Sequence, residues 1–281
     1  MNPRTTQKLA FAFFLLATLL IIVPVGLIVV VIIQKGLPAI SWEFLTSVPK
    51  KGMRAGGIFP AIIGTLYLVS GAILFALPIG LFSAIYLSEY AKDNYMNRII
   101  KLSIVNLAGV PSVVYGLFGL ALFVDFFKFG VSILAGSLTL GIMILPIIIT
   151  ASREALEAVP SSFREVSLSL GASKWQTIRH IVLPNSISGI ITGTILGIGR
   201  AAGETAPILF TVAAFYIPKL PHSIFDQVMA LPYHLYVIST QVPNVSEQIR
   251  YGTALVLIGM VLLMNLAAII IRYQFRKKKK W

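Results

Sequence analysis

The chain has 281 residues, of which 57% are hydrophobic and only 12% are charged. Soluble domains carry about 25% charged residues, so this composition and a mean hydropathy of +0.88 indicate an integral membrane protein and exclude an ordinary soluble one. The formal net charge is +13, but the bases flank apolar runs, which indicates membrane topology rather than nucleic-acid binding. The absence of cysteine excludes disulfides, thiolate metal sites and cysteine nucleophiles.

Six apolar runs are long enough to cross a bilayer, since a hydrocarbon core about 30 Å thick needs roughly 20 helical residues. In chain order they are Leu9–Ile33, Phe59–Leu87, Ile99–Val124, Val131–Ala151, Ile187–Ala214 and Gly252–Ile271. The first run has 25 uncharged residues and no small-residue cleavage site after it, so we expect a retained span rather than a signal peptide. The sequence therefore predicts an all-α membrane protein with six transmembrane helices.

The distribution of Lys and Arg predicts the topology, because cytoplasmic loops are enriched in these residues. With the N-terminus inside, 15 of the 23 basic residues lie in inner segments and seven in outer ones, while Arg200 lies within a span. We therefore expect both termini in the cytoplasm and Lys277–Lys280 as an anchor at the lipid headgroups. Four bases of the first outer loop oppose this rule: Lys35, Lys50, Lys51 and Arg54.

The inner loop 152–184 is too long to be a simple connection between spans. Ser162 and Glu165 predict the capping box of one short helix, which Gly171 would end. Ser173 predicts the start of a second short helix, which Pro184 would close just before the next span. Such a pair of capped helices is compatible with a segment lying flat at the headgroups or with a segment that docks into a cytosolic partner.

The same loop resembles the signature of bacterial ABC importer permeases, which reads Glu-Ala-Ala, three residues, Gly, nine residues, Ile-x-Leu-Pro. Glu165, Gly171 and Ile181–Pro184 match this spacing throughout, and Val166 and Ser167 replace the two alanines. The resemblance implies a coupling helix that lies in the cleft of a separate ATP-binding subunit. It assigns this contact to Ser162, Phe163, Glu165, Gly171, Ala172 and Ser173.

Two charges lie deep inside the fifth apolar run. Arg200 is 13 residues from the inner end of that run, which is about 20 Å along a helix. In a continuous helix Glu204 shares its face, and so does a stripe of small residues that predicts a close contact with a second permease: Gly189, Gly193 and Gly197. Charges at this depth are costly, so the pair indicates either a structural salt bridge or an anion site.

The two side chains suit a protonated phosphate. An arginine fork donates two parallel hydrogen bonds to an oxyanion. The Glu204 carboxylate would accept a hydrogen bond from hydrogen phosphate, whereas it would repel sulfate, which has no hydroxyl donor at neutral pH. The pair therefore predicts a site that favours phosphate over sulfate.

The segment Gly199–Pro207 closely resembles the corresponding segment of phosphate-specific ABC permeases of the PstA type. Gly57–Leu66 resembles the start of that family's core, and Val110–Gly116 resembles its third span. The resemblance implies a type I importer permease with a MetI-like fold and a substrate path past Arg200, Glu204 and Thr205. It also implies four partners: phosphate, a second permease of the PstC type, a dimeric ATP-binding subunit of the PstB type and an outer phosphate-binding protein of the PstS type.

On this basis the chain divides into an N-terminal span with the first outer loop (1–56), a permease core (57–272) and a basic cytoplasmic tail (273–281). There is no Gly-x-x-x-x-Gly-Lys-Ser/Thr loop, so ATP hydrolysis would come from a partner subunit. The three histidines are too scattered for a metal site, and no catalytic residue or cofactor is predicted. Three other functions are compatible with these residues: an ABC importer of another oxyanion, a proton-coupled transporter that uses Glu204, and a membrane enzyme acting on a lipid phosphate.

Overall fold

The computed structural model describes residues 3–277, so the end of the predicted basic tail, Lys278–Trp281, lies outside the described residues. Its helices and strands are α1 Pro3–Gly36, α2 Trp42–Thr46, β1 Pro49–Lys50, β2 Ala55–Gly56, α3 Phe59–Ile85, α4 Tyr95–Ala108, α5 Ser112–Gly119, α6 Ile133–Glu157, α7 Ser161–Ser169, α8 Lys174–Thr177, α9 Leu183–Gly203, α10 Ala206–Thr211, α11 Leu231–Thr240 and α12 Glu247–Lys277. A short 3-10 turn (Leu37–Ala39) follows α1. Three π-helical turns follow α3, α5 and α8, at Tyr86–Tyr90, Leu120–Phe126 and Ile178–Val182.

The described chain is a helical membrane protein, as the composition predicts. Five helical segments are long and apolar enough to cross a bilayer, and the number is six when the bent pair α4–α5 is counted as one span. The other five are Gln7–Ala39, Phe59–Tyr90, Ile133–Glu157, Lys174–Gly203 and Glu247–Phe275. The prediction of six transmembrane helices is confirmed.

The centre of the bundle is formed by α3, α6 and α9, which pack side by side. The contact between α3 and α6 is close because Gly80 lies directly against the Ile148 side chain. The helix α12 packs on α9, and α1 packs on α12 while most of its apolar surface stays exposed. In a bilayer, such exposed apolar surface faces lipid or another membrane protein.

The start of α3 is covered by the segment that contains α11. Gly64 of α3 lets the backbone carbonyl of Met229 approach so closely that no Cβ would fit between them. One residue further on, the Thr65 hydroxyl accepts a hydrogen bond of 2.8 Å from the backbone N–H of Leu231. These contacts fix that segment onto the start of α3.

The third span is broken, although the sequence predicts one continuous helix over Ile99–Val124. The axes of α4 and α5 differ by 102° at the residues between them. Pro111 explains the break, because it has no N–H to donate and its ring would clash with the carbonyl of Leu107, four residues earlier. That carbonyl instead accepts hydrogen bonds from the Val110 N–H at 3.1 Å and from the Tyr115 hydroxyl at 2.7 Å.

The inner segment between α6 and α9 is shorter than the predicted loop 152–184. The helix α6 extends to Glu157, and a helical course resumes at Lys174, so only 158–173 lies outside the two spans. Pro184 does not end the second short helix as predicted. The π-helical turn Ile178–Val182 shifts the hydrogen-bond register of the backbone just before α9. Pro184 can therefore lie in the first turn of α9, and the chain stays helical through it.

The two short helices of this segment begin differently from each other. The predicted capping box of Ser162 and Glu165 is wrong, because α7 begins at Ser161 with Pro160 as its N-cap and no side-chain cap. The predicted start of the second helix at Ser173 is present and forms a capping box: Ser173 Oγ accepts from the Gln176 N–H at 3.2 Å, and the Ser173 N–H donates to Gln176 Oε1 at 2.7 Å.

Gly171 ends α7 as the sequence predicts. Its φ of +84° is a left-handed conformation that side chains with a Cβ rarely adopt. The N–H of Gly171 donates to the Leu168 carbonyl and that of Ala172 donates to the Ser167 carbonyl, which is the Schellman arrangement. A hydrogen bond of 2.8 Å between the hydroxyls of Ser167 and Thr177 then holds α7 against α8.

Candidate functional site

The charged pair lies at a second helix break, not on one continuous helix as predicted. The helix α9 ends at Gly203, and Glu204 is extended, with φ −79° and ψ 134°. Pro207 is the physical reason, since in a continuous helix its ring would clash with the Gly203 carbonyl. The chain instead restarts as the short helix α10, in which Pro207 occupies the first turn.

The geometry keeps Arg200 and Glu204 together and partly accessible. Arg200 Nε lies 3.6 Å from Glu204 Oε1, and the two side chains are 29% and 20% exposed. Thr205 is half-buried next to them, and an added Cβ at Gly203 would meet open space. This arrangement leaves the arginine fork and the carboxylate able to bind a further polar group, because their own contact is longer than a hydrogen bond.

The two broken spans meet at this place. Gly116 of α5 lies against Pro207 and Ala206 of α10, so closely that a side chain at position 116 would displace them. Tyr115, the residue before it, is buried and lies near enough to Arg200 for an electrostatic interaction. Tyr115 did not stand out in the sequence, although Pro111 four residues earlier was a visible signal of the break.

The predicted permease interface is wrong for the glycine stripe of α9. An added Cβ at Gly189 would clash with Ala155, and one at Gly193 would clash with Ala151, both in α6 of the same chain. Gly197 likewise faces the Ile148 side chain of α6. The stripe therefore brings α9 close to α6 and does not face a second permease.

The helix α12 brings further polar groups to α9. Arg272 Nη1 donates a hydrogen bond of 3.0 Å to Thr192 Oγ1, two turns from Arg200 on the inner side. Asn265 lies beside Gly199, and its buried Oδ1 has no hydrogen-bond partner among the described residues. The sequence offers only a weak signal for these residues, which is the rarity of polar side chains in the last apolar run.

The predicted coupling residues lie at the surface of the segment between α6 and α9. Ser162, Phe163, Glu165, Gly171 and Ser173 are exposed, and Ala172 is partly exposed. They share this surface with large apolar side chains that are between 47% and 83% exposed: Val166, Leu168, Leu170 and Trp175. An exposed apolar surface rimmed by polar residues is typical of a protein interaction site.

The segment that contains α11 carries His and Asp residues, which are types that can bind a metal. No group of three or more His, Asp or Glu residues that could bind a metal occurs among residues 3–277. Burial lowers the pKa of His234, in α11, to about 4, so its ring is neutral at neutral pH. Asp226, in the loop before α11, accepts backbone hydrogen bonds from His222 and Ser223, which lower its pKa.

Solved structures with the same fold are ABC importers. An inward-facing structure of the MetNI methionine ABC transporter matches with a TM-score of 0.60 and 14% identity over 78% of this chain and 97% of that chain. A bacterial ABC transporter that imports the acidic polysaccharide alginate matches with a TM-score of 0.64 and 14% identity over 96% and 99%. The fold is therefore that of a MetI-like ABC importer permease.

Sequence comparison identifies the family. The model of the binding-protein-dependent transport system inner membrane component family matches residues 76–281, and the chain belongs to this family. A probable ABC transporter permease protein, YqgI of Bacillus subtilis, is 34% identical over 95% of both chains. The phosphate transport system permease protein PstA 1 of Mycobacterium tuberculosis is 34% identical over 100% of this chain and 92% of its own.

Proposed function

We propose that this chain is a transmembrane permease subunit of an ATP-driven importer of inorganic phosphate. The observation that carries the proposal is the partly exposed pair of Arg200 and Glu204 at the break between α9 and α10. A charged pair at this depth must face water or protein, because lipid would reject it. The partial exposure and the 3.6 Å separation favour a site that receives a ligand over a closed salt bridge.

The chemistry of the pair favours phosphate as the oxyanion. Arg200 supplies a cation with parallel donors, and Glu204 supplies an acceptor for a phosphate hydroxyl. The relatives named as phosphate permeases match nearly the whole chain, which supports the same substrate here. Thr205, half-buried at the break, is placed to add a hydroxyl to the path.

The exposed inner surface supports the proposed coupling to an ATPase. The Schellman end at Gly171 and the capping box at Ser173 fix the angle between α7 and α8, so the apolar side chains form a preformed surface. We propose that a dimeric ATP-binding subunit of the PstB type docks there. A second permease of the PstC type would complete the path on the open side of Arg200, and a PstS-type protein would deliver phosphate from outside.

The energy source distinguishes this function from a proton-coupled transporter that relays protons through Glu204. In cells that depend on this chain for phosphate, uptake should survive a proton uncoupler when ATP is kept high and should stop when ATP is depleted. The measurement is uptake of radiolabelled phosphate under each condition. Uptake that collapses with the uncoupler while ATP stays high would favour the proton-coupled alternative.

Membrane topology provides a separate test of the proposed orientation, in which both termini are cytoplasmic. A cysteine that replaces Glu43, which is exposed before the first outer hairpin, should react with an impermeant thiol reagent added to intact cells. A cysteine that replaces Ser161, exposed at the start of α7, should react only after the membrane is opened. The chain has no cysteine of its own, so background labelling is absent, and the reverse pattern would contradict the orientation.

A further inference from the structure

A nearly buried ion pair joins the inner end of α3 to the segment between α6 and α9. Glu89 belongs to the π-helical turn after α3 and its side chain is only 6% exposed, while Arg164 lies in α7 and is 22% exposed. Arg164 Nη2 donates to Glu89 Oε1 at 2.6 Å, and Arg164 Nε lies 3.2 Å from Oε1 and 3.1 Å from Oε2. The guanidinium therefore contacts both carboxylate oxygens, which is a geometrically specific arrangement.

The same guanidinium also binds the end of α6. Arg164 Nη2 donates to the Leu156 carbonyl at 2.9 Å, and Nη1 donates to the Val159 carbonyl at 2.6 Å. The Leu156 carbonyl belongs to the last turn of α6, where a cation is favourable because of the helix dipole. One side chain of α7 thus holds the ends of two core helices.

The residue after Glu89, Tyr90, makes a cation–π contact with α8. The ammonium of Lys174, at the start of α8, lies 4.8 Å from the centre of the Tyr90 ring. Two consecutive residues of the π-helical turn after α3 therefore contact the short helices: Glu89 contacts α7 and Tyr90 contacts α8. Leu156 and Val159, whose carbonyls Arg164 binds, also belong to a small apolar cluster with Ala84, Ile85, Ile178 and Val182.

We propose that Glu89 and Arg164 form the joint through which movement of α7 is transmitted to α3 and α6. This inference rests on the proposed coupling of the inner segment to an ATPase. The covalent link from α6 to α7 is a short irregular stretch that ends at Pro160, and α7 could pivot there without moving α3. The ion pair prevents that pivot, because separating two largely desolvated charges is costly. Both are positioning residues, since neither contacts the proposed phosphate site.

The test compares assembly, ATP hydrolysis and transport in one preparation. The complete complex, with its second permease, ATPase and binding protein, is purified and reconstituted in lipid vesicles, and phosphate uptake is divided by ATP hydrolysed. Glu89→Gln keeps the shape of the side chain but removes its charge. We expect normal assembly, continued ATP hydrolysis and about tenfold less phosphate moved per ATP, within the roughly 5- to 150-fold range typical of coupling between sites.

Glu157→Gln is the matched control. Glu157 forms an ion pair with Arg153 on the same side of the membrane, at 3.7 Å and with 47% of its side chain exposed. Arg153 is only 20% exposed, but both residues belong to α6, so this pair joins no two segments and its loss should leave the ratio of phosphate to ATP unchanged. A purely structural role of Glu89 would lower assembly, hydrolysis and uptake together, and would leave the ratio unchanged.

Arg164→Lys is the second variant, and it decides the question if Glu89→Gln does not reach the membrane. Lysine keeps the positive charge but cannot bind Glu89, Leu156 and Val159 at once, so the ratio should fall here also. If either assembled variant moves as much phosphate per ATP as the unmodified complex, the proposed role of Glu89 and Arg164 is wrong. If the unmodified complex itself does not assemble with an ATPase or take up phosphate, the proposed function is wrong.

Discussion

Replacing both Arg200 and Glu204 by glutamine is expected to abolish phosphate uptake as completely as Arg200→Gln alone. We expect a loss of about 100-fold, because charge-assisted hydrogen bonds contribute about 1.5–3 kcal/mol each and 1.4 kcal/mol is tenfold. If the two residues formed only a salt bridge, the double change would be better tolerated than the single one, since a lone buried charge costs most. Uptake at matched membrane abundance, with sulfate as competitor, is the measurement.

Two further variants refine this prediction. Arg200→Lys should also lose most uptake, because an ammonium lacks the fork geometry. Glu204→Gln removes the charge that repels sulfate and adds a donor, so we expect weaker transport and stronger competition by sulfate.

The matched control neutralises a pair with the same spacing along the chain. Arg153→Gln with Glu157→Gln removes the i, i+4 pair at the end of α6, whose atoms lie 3.7 Å apart, close to the 3.6 Å of Arg200 and Glu204. This control should retain uptake. Near-normal uptake by the Arg200→Gln, Glu204→Gln protein would show that the pair is only a structural salt bridge. The substrate path would then lie on another face of the helix.

The second large effect concerns Gly171. Gly171→Leu should insert into the membrane but lose most uptake, and its ATPase should either fail to co-purify or hydrolyse ATP without transport. An added Cβ at position 171 meets open space, so a steric clash is not the reason. The structural reason is the φ of +84°, a left-handed conformation that costs a residue with a Cβ roughly 1–2 kcal/mol, so the end of α7 should rearrange.

Two controls separate backbone strain from side-chain bulk. Gly171→Asn adds a side chain that tolerates the left-handed conformation and should keep most uptake. Gly130→Leu introduces the same strain at a φ of +67° in an equally open position, in the loop before α6, and should also keep most uptake. Normal uptake by Gly171→Leu would contradict the proposed docking of the inner segment.

The sequence predicted the spans well and their interruptions poorly. Hydropathy reports burial in a bilayer, so all six apolar runs were visible. Pro111 and Pro207 were visible too, but membrane helices tolerate proline, as α3 and α6 tolerate Pro78 and Pro146, and the contact of α5 with α10 at Gly116 was not visible. That contact joins residues about 90 positions apart, for which a single sequence has no local signal.

The same limit explains the errors at the site. The period of the helix correctly identified a face of small residues on α9, but it contained no information about the partner, which is α6. The ion pair of Glu89 and Arg164 was missed for the same reason, because its members are 75 residues apart. Arg200 and Glu204 could be chosen from sequence because a charge within an apolar run is unusual by itself.

The two broken spans have a consequence for how the permease can move. The helices α5 and α10 pack on each other, and each is joined to the rest of its span by a few residues outside regular helix. A hinge in an intact helix must break backbone hydrogen bonds in a medium that offers no water to replace them. Here those bonds are already absent at both breaks, so a change of angle at either break would not have to disrupt them. The prolines that create the breaks thereby lower the free energy needed to change the angle between the helices at the level where Arg200 lies.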